Sequence, residues 1–293
     1  MSGETRPDDT LLVVGTGYVG LRCLSRNPER TSIGLSRSPV SAAQPIHVYD
    51  LDAADSLPIT LPERYRVLYT VPPPATSDQD DRLQRLLDAL RPAPDCFVYI
   101  STTGVYGDCG GALVDERREP NPTTARARRR VAAERQLLDW SQTLGIRLCI
   151  LRAPGIYGPG RLGIERIRAG LPVIRESEAG PGNRIHVDDL VTCCQTAVSS
   201  EAASGVFNVG DGDNRSSTWF AQEVARQCGL PLPPEISRKE AARQFSPQRM
   251  SFLGESRRVD TRKMREVLGV IPRYGNAADG IRASLTAQDE IEP

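Results

Sequence analysis

Gly15, Gly17 and Gly20 form the run Gly15-Thr16-Gly17-Tyr18-Val19-Gly20, directly after the apolar stretch Leu11 to Val14 and at the head of a helix-like stretch ending near Arg26. In a strand, turn and helix context this G-x-G-x-x-G spacing has a physical meaning. Gly15 permits the tight turn, Gly17 lets the backbone approach a pyrophosphate, and Gly20 lets the helix pack closely on the sheet, with unpaired N–H groups facing the phosphates. The chemistry expected is dinucleotide binding, against the plainer alternative of a glycine-rich turn. About 20 residues downstream, where a carboxylate would hold a ribose 2′-hydroxyl, the chain carries Leu35-Ser36-Arg37-Ser38 and no acid. Ser36 can hydrogen-bond a 2′-phosphate and Arg37 can neutralise it. The spacing therefore favours NADP over NAD, with NAD left open.

Other chemistries are restricted by composition. The 293 residues include 35 arginines but only two lysines, Lys239 and Lys263, so a mechanism that needs lysine has two candidates. With only His47 and His186, and seven cysteines without a C-x-x-C pair, no metal-ligand spacing exists, and no metal site is expected. The odd cysteine count and the adjacent Cys193 and Cys194 argue against a disulfide framework and fit a reducing cytoplasm. Acidic and basic groups balance at 37 each, so no global field draws in nucleic acid or anionic membrane. The polar N-terminus, Met1 to Thr10, reads as carrying no secretion signal. The apolar runs are strand-sized, far short of the roughly 20 residues that span a bilayer.

The elements that must position the glycine turn alternate. Strands are expected at Leu11 to Val14, Ser32 to Leu35, Ile46 to Tyr49, Val67 to Val71, Cys96 to Ile100 and Ile146 to Leu151. Leucines 83, 86, 87 and 90 make a helical stripe between two of them, and Pro120 to Pro122 is expected to open a long Ala- and Arg-rich helix to about Leu144. Such alternation indicates an α/β fold, a parallel sheet with helices on both faces. Beyond about Pro154 the pattern loosens into Gly- and Pro-bounded pieces, which suggests a smaller, less regular C-terminal lobe.

Four further segments follow in order: Ser101-Thr102-Thr103-Gly104-Val105-Tyr106-Gly107, Gly155-Ile156-Tyr157-Gly158-Pro159-Gly160, Arg184-Ile185-His186-Val187-Asp188-Asp189-Leu190, and Phe207-Asn208-Val209-Gly210. With Val259-Asp260 through Leu268-Gly269 to Pro272-Arg273-Tyr274, they give the chain a resemblance over nearly its whole length to extended short-chain dehydrogenases/reductases, the NAD-dependent epimerase/dehydratase-like family, and in particular to its atypical branch. The resemblance implies a Rossmann-type doubly wound parallel sheet with a small discontinuous C-terminal substrate lobe. Residues 1–157 would form the nucleotide domain with a contribution from 183–212, and 158–293 would form mainly the mixed α/β substrate lobe. It also implies cofactor contacts from Gly15, Gly17, Tyr18, Val19, Gly20, Ser36 and Arg37, from Asp50 and Leu51 near the adenine, from Thr70, Val71 and Pro72, and from Ser101, Pro154, Gly155 and Ile156 toward the nicotinamide.

The family's catalytic set is a serine or threonine, a tyrosine, and a lysine four residues after it. The resemblance places Thr102 at the hydroxyl position. It places Arg126 and Arg130 at the tyrosine and lysine positions, with Pro122 and Glu134 fixing the register. No realignment restores the pair, because Glu235 and Val259 stand four residues before the two lysines and no tyrosine lies between Tyr106 and Tyr157. Arginine stays protonated to above about pH 12, so Arg130 can keep the lysine's charge but Arg126 cannot carry the tyrosine's proton. Arg126 and Arg130, four apart on one helix face, are expected to face the cleft and bind an anion, with Arg161 adding to that site from the second lobe. Tyr106 is a candidate proton donor by position, although its type, like that of Tyr157, favours packing. His186 reads as structural, with Asp188 or Asp189 capping the following helix, and His47 likewise. The arginine run from 126 to 135 lacks interleaved aromatics, so no nucleic-acid partner is expected. The function expected is an NADP-dependent oxidoreductase or epimerase/dehydratase-like enzyme acting on a small, anionic metabolite. The alternative is a non-catalytic NADP-binding regulator or sensor. A cytoplasmic monomer or homodimer, with no membrane partner, completes the expectation.

Overall fold

The computed structural model describes residues 10–26, 30–53 and 56–289; the N-terminal stretch read for a secretion signal lies almost wholly outside them. Seven strands make the central sheet: β1 (Thr10–Val14), β2 (Ser32–Ser36), β3 (Ile46–Val48), β4 (Tyr65–Tyr69), β5 (Cys96–Thr102), β7 (Arg147–Ala153) and β11 (Gly205–Asn208), with the short β6 (Leu113–Val114), β8 (Gly155–Tyr157), β9 (Val173–Ile174) and β10 (Arg184–His186) between them in sequence. The order is β11-β7-β5-β4-β1-β2-β3, and every pairing is parallel. The strand order reverses between β1 and β4, and in such sheets the crevice at the carboxyl ends of those two strands receives ligands. The fold is thus the Rossmann-type doubly wound sheet.

Both faces of the sheet are covered, so its strands read as continuous apolar runs. Because successive side chains point to opposite faces, Leu11, Val13, Val98, Cys149 and Leu151 pack on one side against α1 (Gly20–Ser25) and α5 (Val187–Ser199). Leu12, Val14, Phe97, Tyr99 and Ile150 pack on the other against α2 (Asp81–Ala89) and α3 (Ala125–Leu144).

Two boundaries, among others, and the chain beyond Pro154 depart from expectation for local reasons. The fourth strand ends at Tyr69 rather than Val71: the Thr70 hydroxyl turns to donate to the Gly15 carbonyl at 2.6 Å, and the prolines that follow cannot continue a ladder. Pro120 and Pro122 precede the long helix instead of opening it. Residues before proline are held extended, and the Thr124 side chain caps the helix by accepting from the Ala127 N–H at 3.3 Å. The chain beyond Pro154 is more regular than expected. It contributes α4 (Ile164–Arg168), α6 (Ser217–Gln227), β12 (Glu235–Ile236), α7 (Arg238–Gln244), α8 (Pro247–Leu253), β13 (Arg258–Val259), α9 (Arg262–Glu266) and α10 (Ala277–Asp289).

Three two-stranded parallel pairs, β8 with β10, β9 with β12 and β6 with β13, tie this region together. A separate core of Tyr157, Leu162, Ile167, Val224, Ala225, Ala277 and Ile281 lies in the chain beyond Pro154, whereas β13 returns to pair beside the loop after β5. No helix among the described residues is long and apolar enough to cross a membrane.

The glycine turn is closely packed on one side and open on the other. A Cβ on Gly20 would overlap the Gly15 carbonyl oxygen, whereas a Cβ on Gly17 would meet nothing within 4 Å. Gly20→Ala is therefore expected to lower unfolding free energy by about 1–3 kcal/mol or more, and Gly17→Ala to leave it within about 0.5 kcal/mol, as read by urea unfolding. Equal effects at the two positions would contradict this packing.

Candidate active site

A cleft of about 670 Å³ opens at the switch point between β1 and β4. Of the residues expected to touch a cofactor, Gly15, Gly17, Tyr18, Val19, Ser36, Arg37, Asp50, Leu51, Thr70, Val71, Pro72, Ser101, Pro154 and Ile156 line it. Two do not: Gly20 lies beneath the turn against Gly15, and Gly155 faces a neighbouring cavity. Gly15 adopts φ +94°, and a Cβ there would press to 2.7 Å from Thr70 Oγ1 and Val71 Cγ2, so glycine is what lets the ends of β1 and β4 meet.

At the far end Arg37 shares the wall with Asp50 and Asp52. Asp52 pairs with Arg82, Nε to Oδ1 at 2.7 Å, and that hydrogen bond holds its carboxyl below the usual range. Asp52 and Arg82 escape sequence reading because an ion pair between a loop and a helix leaves no local pattern. This end thus offers both a cation for a 2′-phosphate and carboxylates for a 2′-hydroxyl.

At the other end Thr102 closes β5. Its Oγ1 accepts from the Gly104 N–H at 3.1 Å, which leaves the hydroxyl hydrogen available. Thr102 also lines a second cavity, of about 460 Å³, which adjoins the first along Thr102, Pro154, Ile156 and Arg161. Arg126 and Arg130 do not converge on one cleft. Arg130 enters the first, where Nη1 donates to the Tyr99 hydroxyl at 2.8 Å and the Ile100 carbonyl at 2.9 Å. Arg126 enters the second, its guanidinium 3.3 Å from the Phe252 ring centroid and its Nη1 3.3 Å from Ser251 Oγ. Burial lowers the Arg126 pKa from its high ordinary value, but an arginine remains a cation at neutrality. Among the described residues neither arginine has a carboxylate partner within ion-pair distance.

Tyr106 is not a proton donor to this site. It is fully buried, lines neither cavity, and donates its hydroxyl to Asn208 Oδ1 at 2.7 Å. Burial pushes its phenol pKa up. Asn208 in turn donates to the Val114 and Asp260 carbonyls, so the pair anchors the loop after β5 rather than the chemistry. Tyr157 packs edge-on to His186 and Phe220.

Behind Thr102 runs a buried network. Ser101 Oγ donates to Glu134 at 2.5 Å, and Arg152 grips the same carboxylate at 3.1 and 2.6 Å. Glu134 and Arg152 are both nearly inaccessible, so the network fixes α3, which carries Arg126 and Arg130, against the ends of β5 and β7.

His186 caps α5 itself, in place of the aspartates expected there. Its Nδ1 accepts from the Asp188 N–H at 3.2 Å. The Ser284 hydroxyl donates to the Gly280 carbonyl, so the 3.1 Å contact between His186 Nε2 and Ser284 Oγ requires the hydrogen on Nε2. The ring is thus neutral, and burial drives its pKa down to about 4. The Asp189 carboxylate accepts from the Arg273 and Tyr274 N–H groups and so holds the C-terminal motif to α5.

The model of the NAD dependent epimerase/dehydratase family matches residues 83–210 of this chain. A functionally unknown conserved protein from Silicibacter pomeroyi superposes with TM-score 0.80 at 31% identity, over 95% of this chain and 98% of that one. The UDP-glucose 4-epimerase of Thermus thermophilus, solved in complex with NAD, has TM-score 0.75 at 22% identity over 96% and 99%, a likeness of fold. The dTDP-glucose 4,6-dehydratase of Streptomyces niveus is 26% identical over 63% of this chain and 54% of its own length. The chain spans about half the length of several curated relatives it matches.

Two measurements test this architecture. Glu134→Ala strands Arg152 as a buried, unpaired charge and should cost about 3–5 kcal/mol in urea unfolding; a loss below about 1 kcal/mol would show that the network is not what fixes α3. For His186 the folded pKa lies below the unfolded value of 6.5, so its contribution is complete above about pH 6.5 and is lost as pH falls toward about 4. The stability of His186→Asn should therefore fall less steeply than that of the parent across that window. A parallel pH profile would contradict the neutral cap.

Proposed function

This chain belongs to the NAD dependent epimerase/dehydratase family, and we propose that it is an NADP-dependent oxidoreductase or epimerase/dehydratase-like enzyme acting on a small anionic metabolite. The carrying observation is the junction of the two cavities: Thr102 lines both, Arg130 lines the first and Arg126 the second, and among the described residues neither guanidinium has a carboxylate within ion-pair distance. The dinucleotide fits the first cavity on the chain's own terms: Gly17 leaves the turn open, and Ser36 and Arg37 end the wall opposite Thr102. The Gly17 turn would hold the phosphates, Ser36 and Arg37 a 2′-phosphate, and Pro154 and Ile156 the nicotinamide end. When bound, the nicotinamide supplies or accepts hydride.

Thr102 would donate its free hydroxyl hydrogen to the reacting oxygen of the substrate, and Arg126 would bind the substrate's anionic group in the second cavity. Arg130, beside the first cavity, would contribute positive charge without moving a proton. With Tyr106 committed to Asn208, the proton exchanged at the substrate would pass to or from water through Thr102. A second reading, a nucleotide-binding sensor without turnover, is favoured by that same commitment of Tyr106.

The test is oxidation of NADPH, followed by absorbance, with a panel of carbonyl compounds carrying a carboxylate or phosphate. The enzyme reading expects turnover with at least one of them, and a fall in kcat/KM of about tenfold or more, or about 1.4 kcal/mol, in Thr102→Ala. NADPH binding without turnover on the panel, and with Thr102→Ala unchanged in every assay, would replace it with the sensor.

A further inference from the structure

We infer that Arg161 is a phosphate-binding residue contributed by the second lobe and held over the glycine turn by Tyr18, so that a bound dinucleotide joins the two lobes. The inference rests on the dinucleotide reading of the first cavity. Tyr18 belongs to the turn, and its hydroxyl donates to the Pro159 carbonyl at 2.9 Å, which fastens the turn to the loop after β8. The loop is shaped for that approach. Gly158 has φ +152°, and a Cβ there would stand 2.6 Å from the Tyr18 hydroxyl and 2.7 Å from Val187 Cγ1.

Immediately beyond this loop, the Arg161 guanidinium lies 3.9 Å from the centroid of the Tyr18 ring. Stacking on an aromatic face restricts a long side chain that would otherwise sample many rotamers, and it leaves the planar guanidinium's N–H donors at its edge. Arg161 lines both cavities, and among the described residues its side chain has no carboxylate partner. Arg22 also stacks on Tyr18, at 4.0 Å, but it lines neither cavity and its Nη1 is spent on the Tyr18 carbonyl at 2.8 Å. Two arginines on one ring are thus distinguished by their surroundings: Arg22 bonds its own turn, whereas Arg161 lines the cavity that Gly17 also lines. A guanidinium placed there meets phosphate oxygens with paired N–H donors.

The experiment titrates NADPH into the full chain by fluorescence, at several salt concentrations, for the parent, R161Q, R161M, R161K and R22Q. Circular dichroism confirms that each variant is folded. The expected result is an affinity loss of about tenfold in R161Q and R161M, a shallower dependence on salt, partial recovery in R161K, and R22Q within about twofold of the parent. A parent that binds NADPH while R161Q and R161M bind it equally well, with the same salt dependence, overturns the role of Arg161 and leaves the cofactor reading intact. A parent that binds neither NADPH nor NADH overturns the cofactor reading itself, and this inference with it. An equal loss in R22Q and R161Q also overturns it, since the effect would then belong to the Tyr18 ring and not to a phosphate contact.

Discussion

The close approach of the ends of β1 and β4 through Gly15 governs where everything else in the cleft can stand. A side chain at Gly15 would push Thr70 and Val71 away, and one at Gly20 would displace the Gly15 carbonyl. With both absent, the Thr70 hydroxyl bonds that carbonyl at 2.6 Å and the turn seats α1 under the switch point of the sheet. The crevice then opens above Gly17, whose face is left empty, and the same turn presents Tyr18 to the Pro159 carbonyl. A single packing constraint thus sets the floor of the first cavity and its tie to the loop after β8.

The second organising feature is electrostatic. Many arginines of this arginine-rich chain are spent on structure: Arg152 on Glu134 inside the core, Arg82 on Asp52 at the cleft wall, Arg66 and Arg147 on carbonyls at the end of α5. Among the described residues, Arg126 and Arg130 near Thr102 have no carboxylate within ion-pair distance, and both line a cavity. Buried ion pairs hold their geometry at a cost in desolvation, and the Glu134 and Arg152 pair places its rigidity behind the strand end that bears Thr102. The long helix α3 is held by that network at one turn while the two guanidiniums it carries reach into separate cavities.

Much of this was legible because it is local. The glycine turn, the strands around it, Ser36 and Arg37 follow from short patterns, the family resemblance adds Thr70 and Pro154, and the structure places all of these positions along one cleft. What could not be read depended on partners far away in sequence. Arg126 and Arg130 share a helix face, but Phe252 and Ser251 draw one aside while Tyr99 and Ile100 hold the other. Tyr106 sits at the right motif position, yet Asn208, from a different motif, takes its hydroxyl into the core. His186 caps a helix in a role that short oxygen side chains usually fill; only the arrangement of Ser284 and Gly280 around it shows why a neutral imidazole serves there.

On the proposed function, the cleft at the switch point holds a nicotinamide dinucleotide with its reactive end beside Thr102. Crystallographic difference density after co-crystallisation with NADPH tests it directly. The expected map shows phosphate density above Gly17, the 2′-phosphate at Ser36 and Arg37, and the nicotinamide next to Thr102 and Pro154. Density for the dinucleotide elsewhere, or its nicotinamide end directed away from Thr102, would contradict it.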